Sequence, residues 1–485
     1  MHNNSPIAKI PVELLAKIFY QCLPAADEPV LEEDGMDSGK DGSEAESDGL
    51  ALFIRPSRKT APLLLTEVSR SWRETALGST ELWCSLRVDF HDHEKHPSVA
   101  SKMGVWLARS GTERGLCIAL RVCGFVGGRD ADRYANEALA VLLWYMHRWE
   151  NVALYWGQNT APNLTPGLFR AMHMDASPVP LLKELQIDSF ISIIDVNRHM
   201  EDQLSILLRT APRLTSFAWF DNIVLRGTFW RPLHLNPALL QELRLGCVVS
   251  VDECITMMCN SPQLQACEFT LVIIDTSLAN RVVNPEVPAI PTNFPHLIYF
   301  KICSLRNLAP LFDSITVPAL RSLAIEGIDE NTSLLLPHLA ELEFVSLLER
   351  SKCPLEELIL DANMSSGCLF QALQRVDDSL RTLHIVQNGP GCVTDAVLAS
   401  LTPRVGSDGT IQCLCPKIDR ICLTGSTTVI LSSGALPGML ESRIANNRNI
   451  YIYVAYRRSH LRWYDRGRLQ DMAAHHSRVT IELFD

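Results

Sequence analysis

Three stretches carry residue types able to do chemistry, and in each the spacing argues against it. His91, His93 and His96 in HDHEKH (91–96) offer imidazole nitrogens for a metal, but they lack the i, i+4 pairing of a helical site and no cysteine accompanies them. A solvated loop is expected there. Cys413 and Cys415 in CLC, with Cys422 downstream, offer thiolates without the second two-residue-spaced pair a zinc ribbon needs, so buried thiols are expected. GFVGGRDAD (124–132) is glycine-rich after an expected strand, yet it has neither the phosphate-loop lysine nor the dinucleotide fingerprint and reads as a turn. No serine stands in a Gly-x-Ser-x-Gly elbow, and no carboxylate pair stands apart from the charged surface. The sequence therefore points to no catalytic residue, no metal and no cofactor.

With chemistry set aside, the function must lie in surfaces, and composition bounds which ones. A chain of 485 residues with 47% hydrophobic content buries a large core. Its longest strongly apolar run, ALAVLLWYM (138–146), is far shorter than a membrane span of about 20 residues, and MHNNSPIAKIPVELL is not an export signal. Fifteen scattered cysteines without such a signal read as reduced thiols, which points to the cytoplasm or nucleus. The net charge is −11, but Asp27 to Asp48 holds ten acids against one base, leaving the rest nearly neutral. A chain with no basic face is a poor nucleic-acid binder. The arginine-rich YRRSHLRWYDRGRLQ near the end is expected to be a solvated helix face pairing with acids elsewhere.

The acidic stretch EPVLEEDGMDSGKDGSEAESDGL is too polar to repay the entropy of ordering and is expected to be a disordered insert at about 24–55. It divides two helical pieces. IPVELLAKIFYQCL (10–23) places Leu14, Leu15, Ile18, Phe19 and Cys22 on one face behind Pro11. APLLLTEVSRSWRETALG, with Pro62 near its start and Gly78 at its end, carries a stripe of Leu65, Val68, Trp72 and Ala76. A short turn, STELWCSL, closes an expected three-helix unit over residues 1–90.

From residue 83 onward another pattern appears, apolar at positions 0, 3 and 5. It is seen in LKELQI (182), LTSFAW (214), LQELRL (240), LQACEF (264), LIYFKI (297), LRSLAI (320), LAELEF (339), LEELIL (355), LRTLHI (380) and IDRICL (418), and more weakly in WCSLRV (83), CIALRV (117) and WENVAL (149). A proline stands two residues before position 0 at Pro180, Pro212, Pro262, Pro295, Pro318, Pro337 and Pro416, far more often than 27 prolines in the whole chain would place it by chance. An irregular solenoid over 91–485 follows: an α/β fold with a curved parallel sheet inside, and helices and loops outside. Each proline removes a donor before the ladder begins and fixes the entry turn. Helical spacing marks NEALAVLLWYMHR, EDQLSILLRTA, VDECITMMCNS and GCLFQALQRVDDS. The gap from 339 to 355 is expected to be a bare loop, and HLRWYDRGRLQDMAAHHSRVTIELFD a capping helix and strand.

Those amino-terminal residues carry a resemblance. IPVELLAKIF, then APLLLTEVSRSWR, then LWCSL resembles the F-box, in particular the F-box-like proteins of fungi that carry an irregular leucine-rich-repeat-like remainder. Pro11, Glu13, Leu14, Leu15, Ile18 and Phe19 match its first helix; Leu64, Leu65, Val68, Arg70, Trp72 and Arg73 match the second; Leu82 and Trp83 match the closing turn. Ile10 replaces the usual leading leucine, and the insert of roughly 35 residues is long, though a flexible loop costs little per added residue. The resemblance implies a non-catalytic substrate receptor of a Skp–cullin–F-box (SCF) ubiquitin ligase. It also implies contacts to the Skp-family adaptor, and through it a cullin, from Pro11, Leu14, Leu15, Ile18, Phe19, Leu64, Leu65, Val68, Trp72, Leu82 and Trp83. The alternative is an F-box scaffold that delivers nothing for degradation. On the solenoid, position 4 of each strand faces away from the core. There Gln186, Arg244, Glu268, Lys301, Glu343 and His384 are the candidate contacts to a target protein, beside Ala218, Ala324, Ile359 and Cys422.

Overall fold

The computed structural model describes residues 9–24, 53–90, 98–122, 129–156, 178–189, 207–221, 237–273, 291–304, 308–327, 339–361, 363–387, 391–405, 411–425, 431–447, 449–457, 461 and 463–484. They fall into two compact units, Met1–Arg226 with Leu233–Asn236, and Gly227–Pro232 with Pro237–Asp485. The acidic insert from 27 to 48, the HDHEKH run, the glycines of GFVGG and residues 201–206 of EDQLSILLRTA lie outside the described residues.

The first unit opens with α1 (Val12–Gln21), whose first turn is closed by the Pro11 carbonyl accepting from the Leu14 and Leu15 amides. The second expected helix is broken. A single turn, α2 (Leu65–Val68), stops at Ser69, where extended backbone (φ −157°, ψ 167°) begins α3 (Arg70–Gly78). The cause is local: the Ser69 hydroxyl accepts the Trp72 amide at 3.2 Å, and a serine offered that cap competes with the helix interior. A 3-10 turn, Thr80–Trp83, leads into β1 (Ser85–Phe90). Helix α4 (Val99–Arg109) connects to β2 (Leu116–Val122), and α5 (Arg129–Trp144) connects to β3 (Trp149–Trp156). Strands β4 (Glu184–Ser189) and β5 (Ser216–Asp221) follow, and all five pair in parallel and in chain order. The outer edge of β1 is closed by the chain itself. The Arg87 amide donates to the Ile54 carbonyl at 2.7 Å, and Arg55 reaches the buried carboxylate of Asp89 at 3.4 Å.

The second unit repeats the scheme. Its elements are β6 (Glu242–Ser250), α6 (Val251–Asn260), β7 (Ala266–Ile273), β8 (Thr292–Asn293), β9 (Tyr299–Ser304), α7 (Ala309–Ser314), β10 (Ile315–Thr316) and β11 (Ser322–Glu326). They continue with α8 (Glu341–Ser351), β12 (Glu357–Asp361), α9 (Ser366–Arg375), β13 (Thr382–Gln387), α10 (Asp395–Leu401), β14 (Arg404–Val405) and β15 (Ile411–Gln412). The last are β16 (Arg420–Gly425), α11 (Ala435–Asn446), β17 (Tyr451–Arg457), α12 (Trp463–His475) and β18 (Val479–Phe484). The parallel ladder runs β6-β7-β9-β11-β12-β13-β16-β17-β18. The two-residue strands pair only with each other, β8 with β10 and β14 with β15.

The repeat has a clear mechanical basis. The amide of the position-0 residue donates three residues back, in Leu182 to Val179, Leu214 to Ala211, Leu264 to Ser261, Leu297 to Phe294, Leu320 to Val317 and Ile418 to Cys415, at 3.2–3.4 Å. Pro180, Pro212, Pro262, Pro295, Pro318 and Pro416 occupy the second position of those turns, where the fixed φ of proline suits the geometry. Positions 0, 3 and 5 then enter the core: Leu320, Leu323 and Ile325, or Leu380, Leu383 and Ile385, are all buried.

Three features correct the sequence pattern. LAELEF, although preceded by Pro337, is not a strand but the start of α8, with Phe344, Leu347, Leu348 and Ser351 buried at helical spacing. The gap from 339 to 355 is therefore filled by a helix, and β11 pairs directly with β12. The weak match at 117 is out of frame, because Ile118 rather than Leu120 pairs with Leu86. Strand β17 carries the same inward alternation, Ile452 and Val454, without having stood out in the sequence.

Arginines tie successive repeats, Arg148 and Arg443 buried and Arg350 half-buried. Arg148 donates to the carbonyls of Ser110, Gly111 and Arg114, Arg350 to those of Phe312 and Ile315, and Arg443 to those of Leu401, Leu414 and Cys415. Each side chain reaches the C-terminal end of the helix one repeat earlier, α4, α7 or α10, where free carbonyls and the dipole favour a cation, and Arg443 also reaches the turn at Leu414 and Cys415. Burial lowers the affinity of Arg148 and Arg443 for their protons.

Candidate functional site

Two surfaces hold the residues singled out in the sequence. On α1, adjacent residues part company. Leu15 and Phe19 turn inward, and the Phe19 ring lies 4.8 Å from that of Trp72 on α3. Leu14 and Ile18, again four residues apart and so on one helix face, stay 51% and 45% exposed. The second piece divides likewise: Leu65 is buried, while Leu64 and Val68 remain 43% and 54% exposed. Pro11 is exposed and Trp72 half-buried.

Leu15, Phe19, Leu65, Leu82 and Trp83 were expected at a docking face, and the structure places them in the core instead. Trp83 shows why. Its indole N–H donates to the Ala76 carbonyl at 2.9 Å, its ring meets Trp106 edge-on at 4.8 Å, and the Arg109 guanidinium lies 4.6 Å above it. The tryptophan thus locks the amino-terminal helices onto α4, so packing continues across residue 90 without a break. Leu14, Ile18, Leu64 and Val68 are the candidate docking residues that stay exposed as aliphatic surface.

The second surface is the open side of the sheets, where strand register aligns the position-4 residues in rows. In the first unit the row is Arg87, Ala119, Ala153, Gln186 and Ala218. In the second it is Arg244, Glu268, Lys301, Ala324, Ile359, His384, Cys422, Tyr453 and Thr480. Arg244, Glu268 and Lys301 are therefore neighbours, with His384 further along the same row. Glu343 does not join them, since it sits on α8, and Ala324 pairs directly with Ile359 where it was expected to intervene.

Charge on this face is organised around Lys301. Its ammonium lies 3.0 Å from Glu326 and 3.7 Å from Glu268; burial by itself would favour loss of the proton, but the carboxylates outweigh it and raise the pKa. Arg244 pairs with Glu242. Burial and the Glu268 charge push the Tyr299 phenol up to about 12. Burial lowers the pKa of His384 against the opposing pull of Glu326 and Glu357. Glu326, Tyr299 and Glu357 went unnoticed in the sequence because they stand one row above or below position 4, a signal that position 2 of each repeat also carries.

The remaining candidates are structural. Cys415 is buried, its thiol pushed up to about 12 mainly by that burial, and Cys413 and Cys422 are half-buried. Among the described residues no three His, Cys, Asp or Glu side chains group as metal ligands, and no helix is long and apolar enough to cross a membrane. In the arginine-rich segment, Arg468 pairs with Glu441 of α11. Neither a family model nor a curated protein matches this sequence.

Proposed function

We propose that this chain is a substrate receptor of an SCF-type ubiquitin ligase, its amino-terminal helices docking on the Skp-family adaptor and its open sheet face holding a target protein. The observation that supports this reading is the pair of exposed ridges, Leu14 with Ile18 and Leu64 with Val68, on helices whose opposite faces are already packed. Covering four half-exposed aliphatic side chains contributes roughly 1 kcal/mol each, enough for a specific contact once shape is matched. The chain itself performs no chemistry in this role. It brings a target beside a ubiquitin-loaded enzyme in the cytoplasm or nucleus, and the rate gain is one of proximity.

The test is recovery of the Skp-family adaptor by the full chain. Leu14→Asp with Ile18→Asp is expected to abolish recovery and leave the circular dichroism melt unchanged, because both side chains already face water. Recovery at the parent level would refute the docking face. Phe19→Asp is the wrong probe, since it would place a charge in the core. Target turnover after deletion of the receptor then separates a ligase subunit from a non-degradative scaffold.

A further inference from the structure

The parallel ladder of the second unit ends on β18, which pairs with β17 on one side and has no backbone partner on the other among the described residues. In the first unit the edge of β1 is closed by Ile54. The strand VTIELF also contains no proline and no lysine to blunt an edge, and its one charge, Glu482, accepts a hydrogen bond from the Tyr453 hydroxyl at 2.8 Å.

The direction of its free groups is fixed. The Ile452 amide donates to the Arg478 carbonyl at 3.0 Å, so by strand alternation the peptide groups of Thr480 and Glu482 also face β17. Those of Ile481 and Leu483 face outward, with the Val479 carbonyl, while the Val479 amide is held by His476 at 3.0 Å. The side chains of Val479, Ile481 and Leu483 lie on one face of the strand, and the exposed Thr480 and Glu482 lie on the other.

We propose that this edge pairs with the same edge of a second copy of the chain, antiparallel about a two-fold axis at Ile481. In that register the Ile481 amide and carbonyl bond reciprocally between copies, and each Leu483 amide donates to the other copy's Val479 carbonyl. Ile481 meets Ile481 and Val479 meets Leu483 on the apolar face; Thr480 meets Glu482 on the other, so no like charges oppose each other. The neighbouring registers are worse. A shift toward the C-terminal end sets Glu482 against Glu482, and the opposite shift keeps only the Ile481 amide to Val479 carbonyl bonds, because the Val479 amide is held by His476. The inference is independent of the ligase reading.

Sedimentation velocity of the full chain over a concentration series tests it, with circular dichroism melts as the folding control. The parent is expected to dimerise. Thr480→Glu sets a carboxylate against Glu482 twice per dimer and weakens association about tenfold, whereas Thr480→Lys sets an ammonium there and tightens it by a similar factor. A parent that stays monomeric throughout overturns the proposal, as do charge variants that shift dissociation in the same direction. If Thr480→Glu fails to fold, Thr480→Lys decides alone, and weaker association in it is the overturning result.

Discussion

Asp188 lies on β4 two residues beyond Gln186 and on the same face, and burial pushes its carboxyl up to about 6 against the opposing pull of Arg121. Its folded pKa stands above the ordinary carboxylate value, so the protonated form stabilises the fold at low pH, and that contribution is lost as pH rises from about 4 through about 6. Asp188→Asn is therefore expected to be more stable than the parent at pH 7.5, on the order of 2 kcal/mol, with the advantage vanishing toward pH 4. Denaturant melts of both proteins across that range check it, and parallel curves would contradict the assignment. The same scale explains the amino-terminal helices. Ile18 and Phe19 are adjacent and both apolar, so periodicity alone could not say which turns inward. The Trp72 ring, on the helix that starts afresh at the Ser69 break, packs over α1 beside the buried Phe19, and Ile18 stays outside.

The elements are held to one another by cations that serve carbonyls. Arg443, on α11, satisfies the carbonyls of Leu401, Leu414 and Cys415 within the core. Arg443→Met fills a similar volume but removes the guanidinium from the Leu401 and Leu414 oxygens and leaves the Cys415 oxygen with the Ile418 amide alone, and it is expected to cost about 3 kcal/mol. Chemical denaturation measures the loss, and a change below about 1 kcal/mol would mean that water replaces the guanidinium. Helix α8 belongs to the same scale. The six residues from Leu339, which run into its first turn, satisfy the strand template because Leu339, Leu342 and Phe344 fall at positions 0, 3 and 5, yet Leu342 is 80% exposed while Phe344, Leu347 and Leu348 are buried. A six-residue window cannot distinguish the two periods; eleven residues can, and Glu and Leu are strong helix formers.

For the molecule as a whole, the ligase reading requires two separable contacts, one through α1 and α2 and one through the open face centred on Lys301. Lys301→Ala with His384→Ala is expected to lose target capture, read as the proteins enriched by proximity labelling, while adaptor recovery stays at the parent level. Leu14→Asp with Ile18→Asp should do the reverse. If both variants lost both contacts, the two faces would not be independent.

What the sequence determined by itself is the repeat. Apolar residues at positions 0, 3 and 5 behind a turn proline specify local geometry, because the proline presets its own turn and the alternation presets which side chains face the core. The exposed ridges on the amino-terminal helices and the row of charges on the open sheet were decided only in the tertiary structure. An exposed leucine and a buried one have the same local preferences, and only the packing of Trp72 over α1 separates them. Likewise the ladder register, which no single strand contains, sets Lys301 between Glu268 and Ala324 within reach of Glu326.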